Sequence, residues 1–134
     1  MERLLIEKTD FSPEILLDHE NRTFSIIGNS IPEDVRDIFT PVIEWLNNYR
    51  LFIKNVAGYY TEDKPLVFQF NMYYFNSSSA KYIYDIVDAL KQIKEDGTNV
   101  GIAWVFDEED TDMKEAGEDM SSLAEIDFEY IGKP

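Results

Sequence analysis

The stretch Leu66–Phe106, "LVFQFNMYYFNSSSAKYIYDIVDALKQIKEDGTNVGIAWVF", decides the fold. Leu66 to Phe75 is apolar at nearly every position, with Gln69 and Asn71 as exceptions, which predicts a central strand covered on both faces. From Ser78 the period changes. Ile83, Ile86, Val87, Leu90 and Ile93 recur at helical spacing, and Gly97 closes the run. Val100 to Phe106 is then a second buried strand. A strand, a helix and a strand in this order form a right-handed crossover, so the two strands are predicted to be parallel neighbours with the helix crossing between them.

The flanks extend this unit. Upstream, "PEILLDHENRTFSIIGNS" sets two β-prone runs around the polar cluster Asp18 to Arg22, as in a hairpin, with a short strand near Leu4 to Glu7 before it. In "SIPEDVRDIFTPVIEWLNNY", Ser30 and Glu33 have capping-box spacing and Pro32 fits a first turn, so a helix is predicted to start there. Val35, Ile38, Phe39, Val42, Ile43, Leu46 and Tyr49 supply its buried face, and Pro41 is expected to bend it. Downstream, the acidic run from Asp107 leads into a helix from about Thr111, weakened near its end by Gly117, and Ile126 to Ile131 alternates as an edge strand. The expected fold is an α/β domain spanning 1–134, its mixed sheet built from an N-terminal antiparallel hairpin and parallel central strands flanked by helices.

Composition narrows the functions. The chain has 134 residues, 44% of them hydrophobic, and a net charge of -15. That length fits one domain with a core, and the charge must lie outside. Such a surface repels phosphate backbones and anionic lipid heads, so nucleic acid and membrane are not expected partners; a basic protein surface or a cation is. The chain has no cysteine, which rules out disulfides, thiol catalysis and cysteine-held metals. The apolar run in "MERLLIEKTDF" is too short for a signal peptide, and a cytoplasmic protein is expected.

Asn76 to Ser79 falls where a parallel strand gives way to a helix, the usual place for a site in open α/β sheets. Capping alone explains one of these four residues, because Asn and Ser satisfy the free N–H groups of a first turn. The remaining hydroxyls stand at a position that favours an anion. No glycine-rich phosphate loop is present, and no aspartate ends the strand as a receiver domain would require. Asp107, Glu108, Glu109 and Asp110 leave the next strand at the same end, so acids and hydroxyls are expected on one surface. Their spacing does not fit an EF-hand, although a weak magnesium site stays open, and they look too exposed for a poised catalytic base. His19, the single histidine, is expected in the solvated hairpin loop; Tyr59 and Tyr60 fall in a loop as contact residues, and Trp45 and Trp104 follow core periods.

The segments "GNSIPED", "FTPVIEWL", "YFNSSSAK", "WVFDEEDTDM" and "EAGEDM", spanning Gly28 to Met120, resemble the SiaC family of bacterial regulatory phosphoproteins, relatives of the STAS-type anti-sigma-factor antagonists. The resemblance implies a STAS-like domain without catalysis or cofactor of its own. It also implies phosphorylation on the hydroxyl directly after the asparagine, a position usually threonine and here Ser77, with Ser78 and Ser79 as alternates. The implied partners are an anti-sigma-type serine/threonine kinase, a metal-dependent protein phosphatase, and a target that in the best-known branch is a diguanylate cyclase, linked to biofilm formation. Asn76, Ser78, Lys81 and Asp107 to Asp110 are the expected partner-binding residues. Two other classes compete: a metal-dependent enzyme using the acids, and a constitutive binding module.

Overall fold

The computed structural model describes Met1 to Pro134, in the order β1 (Leu4–Ile6), β2 (Glu14–Asp18), β3 (Thr23–Ser30), α1 (Val35–Ile53), β4 (Leu66–Phe75), α2 (Ser77–Glu95), β5 (Val100–Asp107), α3 (Thr111–Ala124) and β6 (Glu129–Lys133). The six strands form one sheet in chain order. β1, β2 and β3 pair antiparallel, whereas β3, β4, β5 and β6 are parallel. As expected, β4 and β5 are parallel neighbours, with Phe68 opposite Ile102 and Phe70 opposite Trp104. The mixed α/β fold is therefore the expected one.

Three successive crossovers advance across the sheet in one direction, so right-handedness puts all three helices on the same face. Side-chain contacts agree. Phe24 of β3 packs on Trp45 and Tyr49 of α1, Phe39 of α1 stacks on Tyr82 of α2, and the Trp104 indole of β5 donates to the Met113 carbonyl of α3 at 2.9 Å. The core lies between sheet and helices, around Phe24, Ile26, Phe68, Phe70, Trp104 and the inner faces of α1 and α2.

This arrangement corrects the expectation that β4 is covered on both sides. Leu66, Phe68, Phe70 and Met72 are buried under the helices, while Val67 and Tyr73 are exposed and Gln69 and Asn71 half-buried on the bare face. Gln69 and Asn71 were the true alternation signal. Next to them on β5, Ala103 and Val105 are buried because they are short side chains among longer neighbours.

Local corrections have similarly plain causes. Ser30 does not open α1; it ends β3 opposite Phe75, and the N-cap is Asp34, whose Oδ1 accepts the Asp37 N–H at 3.4 Å. The helix then runs unbroken through Pro41. Gly28 has φ +128° at the register shift where β3 passes the unpaired Tyr73 of β4, and that angle is what calls for glycine, a Cβ there meeting only ordinary contact with Pro13. Gly117 lies midway along α3 rather than near its end, buried against the Trp104 indole. Ile126 and Phe128 are buried but precede the ladder, so β6 starts three residues later than the alternation suggests.

Candidate functional site

The C-terminal ends of β3, β4 and β5 meet at one end of the sheet. There the Asn76 N–H donates to the Ser30 carbonyl at 3.1 Å, tying the start of α2 to the end of β3. Asn76 is the N-cap of α2. Its Oδ1 accepts from the Ser79 N–H at 2.9 Å and from the Ser78 hydroxyl at 3.0 Å. The Ser79 hydroxyl, fully buried, donates to the Ser30 carbonyl at 3.0 Å and contacts the Ser30 hydroxyl at 2.8 Å.

The three serines thus have different fates. Ser79 is buried and pins the helix to the sheet. Ser78 is exposed but shares the cap oxygen. Ser77 is exposed, stands first in the helix and takes no part in this network. Lys81, one turn on, is exposed, with its ammonium 5.4 Å from the centre of the Tyr82 ring. It lies on the same helix face as Ser77.

The acids also leave the sheet at this end, but with separate duties. Asp110 is half-buried and caps α3, its Oδ1 accepting the Met113 N–H at 3.0 Å. Asp107 accepts the Glu109 N–H at 3.0 Å and so shapes the turn, and the Glu108 N–H donates to the Lys133 carbonyl at 2.8 Å. Asp107, Glu109 and Asp110 form one wall of an open groove of about 640 Å³, with Met72, Tyr73 and Lys133 as the rest of its lining. Lys133 donates to Asn71 at 2.8 Å, with its ammonium 5.0 Å from the centre of the Tyr73 ring. Glu108 is exposed outside the groove, and neither Ser77 nor Lys81 lines it. No three carboxylate or imidazole groups converge in a manner suited to a metal ion.

His19 departs from expectation. It is buried at the opposite end of the molecule, with Nδ1 2.6 Å from the Tyr49 hydroxyl, which in turn lies 2.5 Å from that of Tyr60. Tyr59 stacks on the imidazole and donates to the His19 carbonyl at 2.6 Å, while the Arg22 guanidinium lies 3.9 Å from the centre of the Tyr59 ring. Desolvation holds the His19 pKa below its usual value, with the N-terminal ammonium and Arg22 adding to the effect. Burial pushes Tyr49 upward, and Tyr60 up to about 12. Tyr59 and Tyr60 are hence packing residues, not free contact residues. The exposed aromatics are Tyr73, Tyr74 and Phe11, which sequence periodicity assigned no surface role; the alternation of β4 breaks at Tyr73, which the register shift against β3 leaves unpaired between Met72 and Tyr74, and Phe75 returns to the core against Trp104.

Comparison with known proteins agrees with this architecture. The family model described as "SiaC family regulatory phosphoprotein" matches residues 6–133. An uncharacterised protein of Pseudomonas aeruginosa strain UCBPP-PA14 is 28% identical over 128 residues, covering 96% of this chain and 94% of its own. The crystal structure of apo-SiaC from Pseudomonas aeruginosa superposes with a TM-score of 0.79 at 26% identity, covering 100% of both chains. A crystal structure of the Pseudomonas aeruginosa diguanylate cyclase SiaD in complex with its activator SiaC matches with a TM-score of 0.81 at 26% identity, over 97% of this chain and 99% of that one. A family match over nearly the whole sequence, together with the same fold from end to end, means that the chain belongs to the SiaC family of regulatory phosphoproteins.

Proposed function

We propose that this protein is a non-catalytic partner switch, phosphorylated on Ser77 by an anti-sigma-type serine/threonine kinase, reset by a metal-dependent phosphatase, and bound in its unmodified form to a diguanylate cyclase. The observation that carries this reading is the division of labour at the α2 start: Asn76 supplies the cap and Ser79 the anchor, which leaves Ser77 exposed and uncommitted. A phosphoryl group there adds about -1.5 to -2 charges at the positive end of the helix dipole, where the helix tolerates it. Lys81, four residues on, is placed to pair with it. A partner surface that fits the neutral hydroxyl then meets a bulky dianion beside Asp107, Glu109 and Asp110, and desolvation and repulsion both oppose docking. The cyclase is the proposed target because a related SiaC forms a complex with one. No helix of this chain is long and apolar enough to cross a membrane, and we place the switch in the cytoplasm with its kinase.

The competing metal-dependent enzyme needs converging ligands; the acids here do not converge, Asp107 is engaged in a turn and Asp110 caps a helix. The test is phosphopeptide mapping after incubation with the cognate kinase. Phosphate on Ser77, absent from Ser77→Ala, is the expected result; equal labelling of Ser77→Ala moves the acceptor to Ser78, and no labelling of either protein leaves a constitutive binding module.

A further inference from the structure

Large apolar side chains exposed singly are ordinary on a soluble protein, but grouped ones mark an interface. In this chain Met1, Leu5, Leu51, Val67, Leu123 and Ile131 are scattered over the N-terminus, β1, α1, β4, α3 and β6, whereas four others gather at the end of the sheet that carries Ser77. Phe11 is 61% exposed, Tyr73 and Tyr74 are 56% each, and Ile31 is 38%. Backbone pairing brings them together: the Ile31 N–H donates to the Phe11 carbonyl at 2.8 Å, and Tyr74 lies opposite Asn29, two residues before Ile31. Tyr73 faces both the groove at Asp107 and a second hollow lined by Thr9, Asp10, Gly28 and Asn29.

We infer that Phe11, Ile31, Tyr73 and Tyr74 are the apolar anchor of a docking surface for a protein partner whose contacting segment carries apolar side chains flanked by lysine or arginine. This deepens the proposed function, resting on the reading of this end as the partner-binding end. Charge selects the occupant. Asp10, Asp107, Glu109 and Asp110 line the two hollows beside Tyr73, against Lys8 and Lys133, and Lys133 is already engaged by Asn71 and Tyr73. A second copy of the chain would bring another net charge of -15 against the first, so self-association opposes its own electrostatics. Tyrosines suit such a centre because they supply large contact areas with few rotatable bonds to freeze.

The test uses two probes. An amphipathic helical peptide of leucine and lysine, and its leucine and glutamate counterpart, are titrated against isotope-labelled protein and followed by amide chemical shifts. Shifts at residues 9–12, 29–31, 72–78 and 107–110 with the lysine peptide only are expected. Phe11→Ala with Tyr74→Ala should weaken that binding at least about tenfold, the loss expected when two anchors are truncated. Leu51→Ala with Leu123→Ala, changing equally exposed positions elsewhere, should leave it unchanged. Equal binding of the glutamate peptide, shifts spread over other acidic faces, or a homodimer abolished by the Phe11 and Tyr74 changes would overturn the inference. A purified diguanylate cyclase is the second probe and should respond to the same two variants. If it ignores the wild-type protein altogether, the target assignment fails, and the peptide titration still decides the surface.

Discussion

At Asn76 and its three following serines, chemistry that looks redundant in the sequence is divided in the fold. The prediction is a graded series in urea denaturation. Asn76→Ala should lose about 1 kcal/mol, because it removes the cap and strands the Ser79 N–H. Ser77→Ala should stay within about 0.5 kcal/mol of the parent, as exposed substitutions do. Ser79→Ala should cost more than Ser77→Ala, since it breaks a buried bond to Ser30. Equal losses at Ser77 and Ser79 would contradict the assignment of roles. His19 offers a second test at this scale. Its folded pKa is depressed below the usual histidine value, so between the two values the unfolded chain binds more protons. Stability is therefore complete above the unfolded pKa of about 6.5 and declines as pH falls below it toward the folded value. Asp18 and Asp96 have lowered pKa values, through bonds from Asn21 and Arg50 respectively, and their losses begin only in the carboxylate range at lower pH. The urea midpoint should drop on passing from pH 7.5 to 5.5, and His19→Asn, less stable at neutral pH, should show a flatter profile in that window.

Among the elements, β4, α2 and β5 were legible because their period changes from strand to helix and back within an unbroken apolar run. The wrong readings share a cause: each depended on a distant partner. Ser30 and Glu33 have the spacing of a capping box, but Phe75 claims Ser30 for the sheet and Asp34 caps instead. His19 reads as a loop histidine until Tyr49 and Tyr59, from an element and a loop far along the chain, close over it. In the candidate site, position at the strand end was legible, whereas the burial of Ser79 and the exposure of Tyr74 were not. Gly117 provides the element-scale prediction. Helix propensity alone favours alanine there by up to about 1 kcal/mol. A Cβ would, however, stand 2.5 Å from Trp104 Nε1, whose hydrogen bond to Met113 fixes the indole. The clash should win, with Gly117→Ala destabilising by about 1–3 kcal/mol and altering tryptophan fluorescence. A more stable variant with an unchanged spectrum would show that α3 shifts away without cost.

Over the whole molecule, the one-sided sheet and the net charge of -15 shape how a partner arrives. Helices cover one face only, and the strand ends at the Ser77 pole carry acids that, on the proposed function, would steer a basic partner surface toward that pole. Asp107→Asn with Asp110→Asn should preserve the melting temperature, because asparagine caps a helix as well as aspartate does. The same change should slow association with the target and flatten its dependence on ionic strength. An unchanged rate at every salt concentration would remove the acids from the encounter. The central claim is the switch itself, and the most direct measurement is the affinity of a diguanylate cyclase for two forms of the full chain, one with serine and one with phosphoserine installed at Ser77. Tight binding of the unmodified form and at least about tenfold weaker binding of the phosphorylated form is the predicted result, the size expected when a charge is forced into an imperfectly paired contact. Equal affinity of the two forms, or tighter binding of the phosphorylated one, would contradict it.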